Sequence, residues 1–247
     1  MSEIQSPHKI INLISGPRNI STALMYSFGN RKDTSVIDEP FYANYLTTHP
    51  LRDHPGKGEI LASQPHAFGE VLNEILSKSV EVPYLFVKNM AHHLDQLDWS
   101  FLTKFDNLFL IREPKRLIAS FAQVIPKPTM LDIGLALEWK IFEYLESKGN
   151  NPVVLDSSEI LKSPKIVLSK LCAHLNMPFD EDMLSWSAGP RKEDGVWAKY
   201  WYKSVHKTTG FTQRKLSEHP FPDHLNELLK EAEGYYNKLK AFTIKAE

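Results

Sequence analysis

A chain of 247 residues, 42% hydrophobic and 11% aromatic, has the composition of a globular protein with a substantial core. Its formal net charge of -1 argues against wholesale nucleic-acid binding, which shows a basic surplus, but leaves room for local anion sites. The lone cysteine, Cys172, excludes an intramolecular disulfide, and no apolar run approaches the ~20 residues of a membrane span.

In chain order, the first predicted strand is "KIINLI" (9–14). It lies so near the N-terminus that a signal peptide has no room, so a cytoplasmic protein without membrane contacts is expected. The run stops at Ser15-Gly16-Pro17, turns through Arg18-Asn19, and resumes as a helix in which Ile20, Leu24 and Phe28 share a face. "TSVID" (34–38) is the next strand. Residues 48–66, rich in Pro, Gly and His, read as a long loop. "AFGEVLNEILSKS" (67–79) has helical spacing, and "YLFVK" (84–88) and "NLFLI" (107–111) read as buried strands. Pro114 opens a helix, and "DIGLALEWKIFEYLES" (132–147) reads as one amphipathic helix stopped by Gly149. "PVVLD" (152–156) is the last strand, and Cys172 falls in an apolar helical pattern as a buried thiol. Residues 187–211 carry two tryptophans with little periodicity. A helix over about 221–242 closes the chain, with Leu225, Leu228, Leu229, Ala232, Tyr235 and Leu239 on one face.

Strands alternating with helices predict a parallel sheet covered on both sides, which binds its ligand at the carboxyl ends of the strands. Three cations fall at those ends: Arg18 after the first strand, Lys88 at the third and Arg112 after the fourth. They point to one cationic site. The first loop, "SGPRNIST" (15–22), sits where a P-loop would sit. There the N–H groups of a helix N-terminus face an anion, with Ser21 and Thr22 as hydroxyl donors and Arg18 as a forked cation. It lacks the second glycine and the lysine of GxxxxGK[ST]. After the fourth strand, Arg112 is followed eight residues later by Ser120, and the two could grip one phosphate from a loop and a helix face.

Together these elements resemble the sulfotransferases that use 3′-phosphoadenosine 5′-phosphosulfate (PAPS). The resemblance covers roughly residues 9–200. "PRNIST" resembles the family's 5′-phosphosulfate loop, keeping Pro17, Arg18, Ser21 and Thr22, with Asn19 between and Ile20 where the family usually has Gly. Arg112 and Ser120 match the 3′-phosphate element, and "PRKEDGVW", with Arg191-Lys192, is similar to the family's C-terminal Arg-Lys-Gly segment. The resemblance implies a single domain over 1–247 with a P-loop NTPase-like three-layer α/β/α fold and a mainly parallel sheet of about five strands. It further implies sulfuryl transfer from PAPS to a hydroxyl or amine of a small-molecule acceptor, without a metal, and it permits a homodimer.

Such a transfer needs charge stabilisation on the moving group and the leaving phosphate, and a base for the acceptor. Lys88 matches a family lysine at the sulfuryl group, and Arg18 would steady the leaving 5′-phosphate. Where some of the family place a histidine base stands Met90, which takes no proton. Glu39, after the second strand, is the expected base. Strand alternation should point Asp38 the other way, so that only one of the two faces the site. The competing reading of Glu39 is a structural salt bridge to Arg18 or Arg31. The tandem His92-His93 has no third ligand spaced to join it at a metal. Trp197, Tyr200, Trp201 and Tyr202 either stack on ligand or pack as core. Two other functions stay open: a P-loop nucleotide-dependent phosphotransferase, with Asp156 as its magnesium ligand, and a degenerate binding protein, favoured by Ile20 and Met90.

Overall fold

The computed structural model describes residues 8–51, 54–211 and 221–247. Five strands, β1 (Lys9–Ser15), β2 (Thr34–Asp38), β3 (Tyr84–Met90), β4 (Asp106–Ile111) and β5 (Val153–Asp156), form one sheet in the order β2-β3-β1-β4-β5. Every pairing is parallel. The helices are α1 (Ser21–Gly29), α2 (Tyr42–Thr48), α3 (Lys57–Ser63), α4 (Phe68–Ser79), α5 (Pro114–Phe121), α6 (Met130–Ile133), α7 (Leu135–Ser147), α8 (Ser157–Lys162), α9 (Pro164–His174), α10 (Ala198–Trp201) and α11 (Asn226–Lys240).

Side chains alternate along the strands into two cores. Ile14, Leu85, Val87, Phe109, Ile111 and Val154 pack with α4, α5, α7 and α11. Ile11, Leu13, Phe86, Leu108, Leu110 and Leu155 pack on the other face with α1 and α9. That double burial explains why three of the strands read as nearly continuous apolar runs. Cys172 belongs to the second core, where burial pushes its thiol up to about 11, so it is not a nucleophile at neutral pH.

The connections place the site. From β1 the chain leaves toward β3 and β2, and from β4 it leaves toward β5 on the opposite side. The loops after β1 and β4 therefore diverge at a topological switch point, where a crevice opens.

Three expectations about elements need correction. Residues 48–66 are not a continuous loop: α3 lies within them, entered through Gly56 at φ +77°, with Ile60 buried against Tyr42, Tyr45 and Trp197. Residues 52–53 of that stretch lie outside the described residues. The helix expected over 132–147 is broken at Gly134 (φ +83°) into α6 and α7. A Cβ at Gly134 would stand 3.1 Å from the Ala91 Cβ and 3.4 Å from the Gly16 Cα, and one at Gly16 would collide with the Ile133 carbonyl. Two glycines thus let the chain after β1 cross the start of α7. Finally, the last helix begins at Asn226 after a tight turn and ends at Lys240, and Tyr236 rather than Tyr235 is its buried tyrosine, donating to Asp156 at 2.6 Å.

Candidate active site

The loop after β1 carries the first cation. Arg18 adopts φ +56°, a left-handed conformation that is uncommon for a residue with a side chain. Its Nε donates to Ser120 Oγ at 3.1 Å, and Arg112 Nη1 donates to its carbonyl. Asn19 ties the same loop to β4 through the Leu110 carbonyl and holds the Ile20 N–H on its Oδ1. No side chain caps α1, so the N–H groups at its start are left to face the crevice. Arg18, Arg112 and Ser120, far apart in sequence, are thus brought together. Neither arginine is salt-bridged to a carboxylate among the described residues, and burial holds both below their usual values, with Arg18 adding repulsion on Arg112.

A second cluster sits at the ends of β2 and β3. Lys88 Nζ donates to Asp38 Oδ1 at 2.8 Å, to Glu39 Oε1, and to the Tyr202 hydroxyl at 2.7 Å. This corrects two expectations. Asp38 and Glu39 do not point apart, because Glu39 lies beyond the strand end at φ +45° and its carboxylate turns back toward Lys88. Nor does Glu39 pair with Arg18 or Arg31: Arg31 is engaged by Asp33 at 2.8 Å. Burial would lower Lys88, but the two carboxylates outweigh it and hold the ammonium above its usual value. Glu39 is raised by burial and by Asp38 against the pull of Lys88, as expected for two carboxylates sharing one cation.

His93 stacks on Tyr42 with ring centroids 4.2 Å apart, and its Nδ1 stands 3.8 Å from Glu39 Oε2. Burial, His92, His54 and Lys88 all push it well below the usual histidine value, so it is neutral at neutral pH. Among the described residues no group of His, Cys, Asp and Glu is arranged to hold a metal ion.

Both clusters open onto one cavity of about 1190 Å³. Pro17, Arg18, Asn19, Ile20, Ser21, Thr22, Arg112 and Ser120 line its cationic end, and Glu39, Lys88, Tyr42, Trp201 and Tyr202 line the other. Typical single-ligand pockets span roughly 300–1,000 Å³, so this space lies above the upper end of that range.

Arg191 and Lys192 are not among the residues lining it. Arg191 lies over the Tyr26 ring at 4.5 Å and donates to the Tyr26 carbonyl, while Lys192 is almost fully exposed beside Glu193. Asp194, which accepts from the Tyr26 hydroxyl at 2.7 Å, draws the segment against α1 instead. Of the aromatic candidates, Trp201 and Tyr202 line the cavity, Trp197 is buried against Tyr42, and Tyr200 is exposed. Asp156 does not line it either: it caps α8 through Ser158 and accepts from Tyr236. Sequence reasoning missed Tyr202 as a partner of Lys88 because 114 positions separate them and no local pattern links them.

The sequence profile described as "Sulfotransferase domain" matches residues 8–243, nearly the whole chain. This chain belongs to the sulfotransferase domain family. Solved sulfotransferase domains have the same fold. That of the Synechococcus PCC 7002 olefin synthase superposes with a TM-score of 0.60 at 18% identity, covering 96% of this chain and 97% of that one. The domain from the curacin biosynthetic pathway gives 0.55 at 16% identity, covering 94% and 97%. Two curated proteins of Arabidopsis thaliana, the branched-chain-amino-acid aminotransferase-like proteins 1 and 2, are 37% and 34% identical over 94% of this chain. The chain spans only 42% and 41% of their lengths.

Proposed function

We propose that this sulfotransferase-family chain moves a sulfuryl group from PAPS to a hydroxyl or amine of a small-molecule acceptor. The observation that carries the reading is the pairing, across one cavity, of two arginines that form no salt bridge among the described residues with a buried Lys–carboxylate cluster. The α1 N–H groups, Arg18, Ser21 and Thr22 hold the 5′-phosphosulfate, with Pro17, Asn19 and Ile20 shaping the loop. Arg112 and Ser120 take the 3′-phosphate, whose two negative charges match a forked cation. Lys88 draws charge from the sulfuryl oxygens as the acceptor oxygen bonds to sulfur. The bond from sulfur to the phosphate oxygen breaks, and the electron pair leaves with adenosine 3′,5′-bisphosphate. Arg18 steadies that leaving phosphate, and the Glu39 carboxylate takes the acceptor proton as the new bond to sulfur forms. A carboxylate held above its usual value by burial is a better base than a free glutamate.

The magnesium phosphotransferase reading loses support because Asp156 is committed to α8 and Tyr236. The binding-protein reading rests on Ile20 and Met90, both of which line the cavity. Incubation with PAPS and a panel of hydroxylated and amine acceptors, reading release of the bisphosphate, separates it from the enzyme reading. Acceptor-dependent release that Lys88→Met abolishes is the expected result. Bisphosphate binding without turnover on any acceptor would favour the binding protein.

A further inference from the structure

A lysine ammonium has three hydrogens. At Lys88 all three are engaged within the protein, by Asp38, Glu39 and Tyr202. A sulfuryl oxygen that binds this ammonium must therefore replace one of the three. The partners are not equivalent. Asp38 and Glu39 are carboxylates on a neighbouring strand end, and loss of either would leave a buried charge uncompensated. Tyr202 is neutral, since burial and the two carboxylates push its phenol well above the usual tyrosine value. Its hydroxyl also has other bonds to keep: it donates to Asp38 at 2.8 Å and accepts from Trp197 Nε1 at 3.2 Å. Asp38 does not line the cavity, whereas Tyr202 does.

We infer that Tyr202 is a positioning residue for Lys88, its hydroxyl oxygen holding the place on the ammonium that a sulfuryl oxygen takes when the donor binds. The inference rests on the proposed PAPS reading and adds a residue to it. In the free protein Tyr202 keeps Lys88 aimed and its third hydrogen satisfied, and the donor's sulfuryl group displaces it. The displaced ring sits beside Trp201 on the cavity wall, so loading of the donor and the shape of the acceptor end are linked.

The test compares PAPS with the bisphosphate, which lacks only the sulfuryl group, by titration without acceptor. If Tyr202 competes for Lys88, Tyr202→Phe frees one donor and raises the PAPS-to-bisphosphate affinity ratio roughly 3–10-fold, the worth of one hydrogen bond, with bisphosphate affinity nearly unchanged. A structural role would weaken both ligands together and leave the ratio alone. A ratio that is unchanged or lower overturns the inference. As a conservative second probe, 3-fluorotyrosine at position 202 should show a fluorine resonance that moves with PAPS and not with bisphosphate. A shift common to both, or absent in both, also overturns it. If the unmodified protein binds neither ligand, it is the PAPS reading itself that fails.

Discussion

Lys88 is 1% exposed, an unusual place for an ammonium, and it stays charged because two carboxylates and a phenol surround it. Removing one partner of such a cluster leaves the other charges buried and unpaired. Lys88→Met should therefore cost about 3–5 kcal/mol of stability at neutral pH, read by denaturant unfolding, besides abolishing turnover. Glu138 is the contrasting case. It is fully buried on α7 with no cation paired to it among the described residues, and burial pushes its carboxyl well above the usual value. The sign follows from linkage: the folded state keeps this proton after the unfolded chain has lost it. Glu138 thus favours folding most below the ordinary glutamate value of about 4.3, and the contribution falls as pH rises toward the folded value. Within that window the stability of the wild type relative to Glu138→Gln should fall by about 1.4 kcal/mol per pH unit, and a pH-independent difference would refute it.

At the scale of elements, most strands were legible because burial on both faces writes a nearly continuous apolar run, with β2, only partly buried, the exception. Arg18 and Arg112 were legible for a related reason, since Arg112 directly follows such a run and Arg18 follows one across a Gly-Pro turn. What failed to show was anything set by backbone handedness or distant contact. Strand alternation misplaced Asp38 because Glu39 leaves the strand with a positive φ. The break at Gly134 was hidden because α6 and α7 share an apolar pattern, and the glycine's purpose lies in its contact with Gly16. α3 was hidden in a Pro- and Gly-rich stretch, since only Ile60 of its residues is buried. The two-glycine crossing supports the anion loop from behind, so Gly134→Ala tests that support. The left-handed backbone alone costs about 1–2 kcal/mol for a residue with a Cβ. The account expects that loss in thermal unfolding, together with weaker bisphosphate binding as the Arg18 loop is displaced. Lost stability with unchanged binding would separate the crossing from the site.

Across the whole molecule, the sheet order sends the β1 and β4 loops apart and sets Arg18 and Arg112 against one crevice, while β2 and β3 end at the Lys88 cluster across the same cavity. One end is cationic and the other is walled by tyrosine, histidine and tryptophan, a division suited to a charged donor and a less charged acceptor. The chain spans about two fifths of the length of its curated plant relatives, and its fold is that of the sulfotransferase domains it matches. Among the described residues no helix is long and apolar enough to cross a membrane. The central claim is that the cationic end binds a nucleotide through its 3′-phosphate. Calorimetric titration with adenosine 3′,5′-bisphosphate and, in parallel, adenosine 5′-monophosphate and magnesium ATP tests it directly. The account predicts binding of the bisphosphate that depends on the 3′-phosphate and weakens roughly 10–100-fold in Arg112→Ala. Equal binding of the monophosphate, preference for magnesium ATP, or indifference to the Arg112 substitution would contradict it.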